Sequence, residues 1–416
     1  SSLKYFTLYL NKYYYITKDS SKILKAQKII GDILLEQSKY DSAVIYYISA
    51  IKFIESNNLN NKEELATLNL HLGIAYYFKM LKFDNIIFNQ FTNLNFLNTK
   101  IAFCKAKDCF EELIDNCKCG SFRYEISQTL FYLGVLYFYA SQNELNPNKE
   151  YEALAEKYFM EALVKLKQGS YLGTRLEAQI KVNLGDVYYA KNELLNAKGM
   201  YLEALHFYAF WELWSPTVTG YIVLYQLGKV YCDYKEFTES EQYFIKSIEK
   251  LGVKDSVKYE ILRVRAITEF LEMYKSWIAS IENQSDKINI QKKCCILYEK
   301  LFRKYPEHEL IKDEYLNALD DLSRMYIITG QFLESQASSE KILLVEPTKN
   351  WARVTLGNSY LLRKEWDKAK IIYEEFINKE PERSMAKKEL RKSLKYFDSI
   401  GITSPEIEKA KAWLNN

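Results

Sequence analysis

The chain is predicted to be all-α, a solenoid of about eight helix pairs closed by a C-terminal capping helix, and three observations predict it. A small residue, a second small residue and a ring recur at fixed offsets along most of the 416 residues. Only 14 Gly and 6 Pro are present, too few turn signals for a sheet protein of this length. Hydrophobic residues make up 48% and charged residues 27%, the balance of a folded chain rather than a disordered one.

The spacing is clearest from Tyr171 to Lys250. Leu184-Gly185-Asp186-Val187-Tyr188 is followed by Ala197, Tyr201 and Ala204, and Leu227-Gly228-Lys229-Val230-Tyr231 by Ser240, Phe244 and Ser247 at the same offsets. A glycine on one helix facing Ala or Ser on the next lets two antiparallel helices approach closely, and the ring fills the seam.

In chain order, 1–20 reads as a packing helix, apolar around much of its wheel. The first repeat, 21–60, has Ile30-Gly31, Ala43, Tyr47 and Ala50. The second, 61–120, begins with Leu72-Gly73 and Tyr76, and the pattern resumes at Ala106, Phe110 and Leu113 after an insertion of about 21 residues relative to the spacing of the other repeats. That insertion, 82–103, carries Phe83, Phe88, Phe91, Phe96 and Phe103, and reads either as helix or loop tucked onto neighbouring repeats or as a partner-contacting arm.

The third repeat, 121–175, has Leu133-Gly134, Tyr137, Ala155, Phe159 and Ala162, with Asn146-Pro147-Asn148 marking a surface loop between its helices. The fourth and fifth, 176–215 and 216–255, are the two described first. The sixth, 256–312, is degenerate: no Gly stands at the crossing, but Cys294, Tyr298, Leu301 and Pro306 keep the second-helix offsets. The seventh, 313–348, has Ser323, Ser335, Ser339, Ile342 and Pro347; the eighth, 349–383, has Gly357, Ala369, Tyr373, Phe376 and Pro381. Residues 384–416 open with a charged stretch that reads as the polar cap of such a stack.

This spacing resembles the tetratricopeptide repeat, with units of about 34 residues at the C-terminal end and longer ones before it. Long-helix units of this kind are similar to those of kinesin light chains, Pins-like spindle adaptors and bacterial peptide-sensing regulators. The resemblance implies a right-handed superhelix whose first helices line the concave side, and a non-catalytic protein or peptide binder.

The remaining chemistry is sparse. Of three His, His71 stands beside Leu72-Gly73 and reads as a satisfied packing residue, and His308-Glu309 lacks the second His of a metalloprotease helix. Cys117, Cys119, Cys294 and Cys295 lack a second ligand pair at zinc spacing, so neither metal nor cofactor is expected. No phosphate loop or dinucleotide fingerprint occurs, and no enzyme is expected. The 57 basic and 54 acidic residues give a net charge of +3 without clustering, so no nucleic-acid footprint is expected. Seven Cys within helical patterns, no apolar run of membrane length and no visible leader point to a cytoplasmic protein.

Counting offsets from each glycine places a candidate binding wall at Tyr77, Phe78, Gln128, Phe131, Phe138, Tyr139, Gln179, Asp186, Tyr189, Tyr225, Lys229 and Asp233. Rings with scattered amides and charges suit an amphipathic helix or an extended peptide; the same rings also suit packing between long helices. The carboxylate clamp of related chaperone-binding arrays is not reproduced, since its places hold Lys28 with Asp32 and Val354 with Asn358. Further expectations are a sensor arm of a larger signalling or defence enzyme, suggested by a start at Ser1 without Met, contact with an upstream domain, and self-association; an RNA-binding array fits less well.

Overall fold

The computed structural model describes residues 20–57, 59, 61–83, 92–117, 122–142, 148–211, 219–251 and 257–415. The expected packing helix at 1–20, most of the insertion's first half and Asn146-Pro147 lie outside the described residues, as does Cys119 of the Cys117/Cys119 pair. The described residues form helices and turns and contain no strand. They divide into two compact units, 1–233 and 234–416.

Among the described residues of the first unit nine helices follow one another: α1 Ser20–Glu36, α2 Tyr40–Ser56, α3 Lys62–Phe83, α4 Thr92–Cys117, α5 Arg123–Ser141, α6 Lys149–Gln168, α7 Arg175–Ala190, α8 Leu194–Trp211 and α9 Thr219–Asp233. Each of α1/α2, α3/α4, α5/α6 and α7/α8 is an antiparallel pair whose second helix also packs on the next first helix. The crossings are closest at the glycines. A Cβ on Gly31 would stand 2.5 Å from the Tyr47 ring, and one on Gly185 2.5 Å from Tyr201. These rings are fully buried, so the seam has no slack for a methyl group.

The same test corrects the second repeat. The ring over Gly73 is Phe103, where a Cβ would come within 2.5 Å of it. Thr99, Phe103 and Ala106 therefore fill the places assigned by spacing to Ala106, Phe110 and Leu113, one heptad earlier. Part of the apparent insertion is the front of α4, and Phe96 stacks on Tyr151 with centroids 6.3 Å apart. Phe110 is fully buried one turn pair further on, beside Phe122 at 6.0 Å.

The second unit holds α10 Phe237–Leu251, α11 Val257–Ser280, α12 Gln284–Lys304, α13 Glu309–Ile328, α14 Phe332–Val345, α15 Trp351–Leu362, α16 Trp366–Lys379, α17 Arg383–Ser399 and α18 Pro405–Asn415. In the seventh repeat serines replace both glycine and ring. Ser323 Oγ lies 2.8 Å from Ser335 Oγ and 2.9 Å from Ser339 Oγ, and Ser335 Oγ lies 2.8 Å from Ser359 Oγ on α15. All four are fully buried. Because each hydroxyl both donates and accepts, the set satisfies itself where water cannot reach.

The cap contains the expected helix, α17, and a second one, α18. One face of α17 buries Ala386, Leu390, Leu394 and Phe397. Residues Ile407, Ala410 and Leu414 of α18 are buried with them in one core cluster. Ser404 accepts from Ile407 N at 3.2 Å and Pro405 occupies the first helical position, a standard restart.

A second periodic feature fixes the repeat register. Ser38, Asn192, Lys235, Gly330 and Lys364 all have φ between 58° and 76°. Each lies seven residues after the small crossing residue of its repeat, namely Gly31, Gly185, Gly228, Ser323 and Gly357. A left-handed residue there ends the first helix and turns the chain back. Its recurrence confirms Ser323 as the seventh repeat's stand-in for glycine.

Candidate functional site

The residue following the crossing glycine carries the repeats' polar chemistry. Tyr47 Oη donates to Asp32 Oδ1 at 2.7 Å, Tyr201 Oη to Asp186 Oδ1 at 2.6 Å, and Tyr373 Oη to Asn358 Oδ1 at 2.7 Å. Each of these acceptors has a further partner on the following repeat or cap. His71 Nδ1 lies 2.7 Å from Asp32 Oδ1, Gln226 Nε2 donates to Asp186 Oδ1 at 2.7 Å, and Asn358 Nδ2 donates to Ser393 Oγ at 2.8 Å. One side chain thus ties a helix pair together and ties it to its neighbour.

This relay has clear electrostatic effects. Burial, then the Asp186 carboxylate, pushes the Tyr201 phenol far above its ordinary range. At Asp32 burial works against ionisation, but hydrogen bonds and charge from His71, with the Tyr47 hydroxyl, hold its carboxyl below the ordinary value of 3.8. Asp32 and Asn358, the two places where a carboxylate clamp would need free groups, are both engaged in this way.

Four of the residues placed on the wall by spacing come together on α7 and α9. Tyr189 Oη donates to Asp233 Oδ2 at 2.7 Å, and Lys229 Nζ stands 4.7 Å above the Tyr189 ring and 5.8 Å from that of Tyr225. The residues at glycine plus four on one helix and glycine minus three, plus one and plus five on the next share a face, which places a cation between two rings and a carboxylate at the edge. Asp186 stands on the same face of α7, engaged with Tyr201 and Gln226. Tyr189 and Lys229 are half-buried and Asp233 is exposed, whereas Tyr225 is 7% exposed and belongs to the packing.

The remaining wall residues lie further toward the N-terminus. Tyr77 touches Phe78 and Tyr132 at centroid distances of 5.4 and 5.8 Å, and Phe78 stacks on Tyr40 at 5.7 Å. Phe131 is buried against Phe159. Phe138, like Tyr77 and Phe78, packs on this core with part of its ring still accessible. Gln128 and Tyr139 on α5 are half-buried, and so is Gln179 on α7, whose backbone carbonyl accepts from Asn183 Nδ2. The rings at 77, 78 and 131 therefore join helices, and the open polar face is concentrated on α7 and α9. His71, Gln226 and Ser393 were not legible as partners, because an inter-repeat contact depends on how successive pairs stack rather than on spacing within one repeat.

Among the described residues no group of three His, Cys, Asp or Glu could hold a metal ion. No helix among them is long and apolar enough to cross a membrane.

Paired helices, ring-over-glycine crossings and a left-handed turn at constant offset define a helical-repeat protein. Residues 351–383, the eighth helix pair, match the family model described as tetratricopeptide repeat. No curated protein sequence matches it. Among solved structures it is similar to the apo quorum sensor NprR from B. thuringiensis, at 15% identity and TM-score 0.45 with 82% of each chain covered. It is also similar to a signal-transduction ATPase with a tetratricopeptide repeat sensor from Pyrococcus horikoshii, at 14% identity and TM-score 0.45, covering 86% of this chain and 48% of that one. A third is the Rap conjugation gene regulator of plasmid pLS20 in complex with the Phr* peptide, at 19% identity and TM-score 0.41, covering 73% and 76%.

Proposed function

We propose that the chain is a non-catalytic binding module that holds a protein or peptide segment against the face formed by α7 and α9. The observation that carries this reading is the cluster of Tyr189, Lys229 and Asp233, in which a ring, a cation and a carboxylate from two helices meet on an accessible surface. A peptide laid across the two helices has there an apolar plane to cover and charges of both signs to fix its register. The Tyr189–Asp233 bond and the Lys229 contact hold these groups in place beforehand, which lowers the ordering cost of binding.

The test is crosslinking capture with the wild-type chain and with Lys229→Ala and Tyr189→Ala. The expected result is a protein or peptide held by the wild type and weakened about tenfold or more by each substitution, with helicity unchanged. A partner captured equally by all three chains, or the recovery of none, sinks the reading.

A further inference from the structure

The sixth repeat keeps the relay's tyrosine without its acceptor, and a cavity lies beside it. Tyr298 occupies the ring position filled elsewhere by Tyr47, Tyr201 and Tyr373. Its repeat has no crossing glycine followed by an acidic or amide residue, so the usual acceptor is missing. Tyr298 is 2% exposed, and among the described residues its hydroxyl makes no hydrogen bond yet keeps some accessible surface. It lines a cavity of about 310 Å³ between α11, α12 and α13.

The rest of the lining is dominated by acceptors. Glu314, Asp320 and Asp321 stand on α13, against Lys275 on α11 and Arg324 on α13. Both cations are already engaged: Lys275 Nζ lies 2.8 Å from Glu272, and Arg324 is paired with Asp320, whose other oxygen accepts from Thr355 at 3.1 Å. Glu314 and Asp321 have no ion-pair partner among the described residues. Gln291, 4% exposed, commits its amide nitrogen to Ala318 O at 2.8 Å. Its carbonyl oxygen accepts no hydrogen bond among the described residues, and the residue lines the cavity.

We propose that this cavity is a subsite for a basic side chain, arginine above all, of a bound peptide. A guanidinium carries five donors and no acceptor. It matches a site offering two carboxylates that feel Lys275 without a close ion pair, an amide oxygen and a phenol oxygen. Burial raises the carboxyls of Asp320 and Asp321 above their ordinary value despite Arg324 nearby, so an incoming cation relieves an existing cost. A metal ion fits less well, because no three carboxylates, histidines or thiols converge among the described residues.

A second cavity, of about 480 Å³, argues for a peptide source over a free amine. It shares Arg324 with the first and is lined by Trp351, Val354, Tyr396 and Phe397. Tyr396 is 49% exposed. An anionic subsite beside an aromatic one suits a basic residue followed closely by an apolar one. The subsite deepens the peptide-binding reading and rests on that class of function, but it uses none of the residues of α7 and α9.

The test is an NMR titration of the full chain with N-acetyl-arginine amide, its neutral isostere N-acetyl-citrulline amide, agmatine, and the blocked tripeptide acetyl-Arg-Ala-Phe-amide. The expected result is saturable shifts confined to α11–α13 with the arginine probe and about tenfold weaker binding of the citrulline probe. The tripeptide should bind more tightly than agmatine and extend the shifts to Trp351 and Tyr396. Asp321→Asn and the conservative Tyr298→Phe should each weaken the arginine probe by roughly three- to tenfold while leaving the spectrum of a folded chain. Equal binding of arginine and citrulline probes, no saturable shift, or variants that bind like the wild type would overturn the subsite. Agmatine binding as tightly as the tripeptide would overturn the peptide source. Lys229→Ala leaves this titration unchanged, so the subsite and the α7/α9 contact can fail separately.

Discussion

Asp32 Oδ1 and His71 Nδ1 lie 2.7 Å apart, and the carboxylate oxygen that meets the histidine also accepts from Tyr47. The first repeat is thereby joined to the second through one acidic residue, and stability depends on its ionisation. Its folded-state pKa is lowered, so its contribution is fully present above the unfolded value and is lost as pH falls through the folded value. Asp32→Asn is expected to be less stable than wild type at neutral pH, and the difference should shrink below the ordinary aspartate value of 3.8. Urea unfolding of both chains at stepped pH measures this; a gap that widens on acidification contradicts it.

The relay also separates charged from neutral hydrogen bonds within one architecture. Tyr201→Phe removes a donor from the carboxylate Asp186, and Tyr373→Phe removes one from the amide Asn358. The first substitution is expected to cost about 2 kcal/mol and the second about 1 kcal/mol. Calorimetric or denaturant unfolding of the pair tests the ranking, and a larger loss at Tyr373 would refute it.

Gly185→Val places a branched side chain where even a Cβ would stand 2.5 Å from Cε1 of Tyr201. Tyr201 is fully buried and its hydroxyl is fixed by Asp186, so its ring cannot swing away. The expected loss is roughly 2–3 kcal/mol, read from the denaturation midpoint. An unchanged midpoint would show that the seam has room.

Lys364 holds φ at 64° in the turn between α15 and α16, where the seventh repeat has Gly330 at 76°. Lys364→Gly is expected to stabilise the eighth repeat by about 0.5–1 kcal/mol, because glycine adopts this conformation without a Cβ clash. A thermal melt that falls instead of rising would assign the turn's stability to the lysine itself.

The sequence makes much of this fold legible because ring-over-glycine contacts repeat at constant offset: Gly31 with Tyr47, Gly185 with Tyr201 and Gly357 with Tyr373 are each sixteen apart. It misplaces the second repeat because Ala106-Phe110-Leu113 and Thr99-Phe103-Ala106 are the same pattern displaced by seven residues, and helical periodicity accepts either. Only the contact of Phe103 with Gly73 chooses between them. The wall was partly legible: Tyr189, Lys229 and Asp233 share an accessible face, while Tyr225 and Phe131 have the right offsets but are turned into the packing by helices on both sides. The orphaned hydroxyl of Tyr298 is invisible to spacing, since its ring position matches the pattern and only the missing partner distinguishes it.

Asp186 serves Tyr201 of its own helix pair and Gln226 of the next, so the two cannot come apart independently. Stretched between its ends, such a chain should surrender its riveted neighbours together, in a step about twice the contour length of one repeat. Where serine hydroxyls replace the rivet, Ser335 still reaches Ser359 of the eighth repeat, so that pair should also yield jointly.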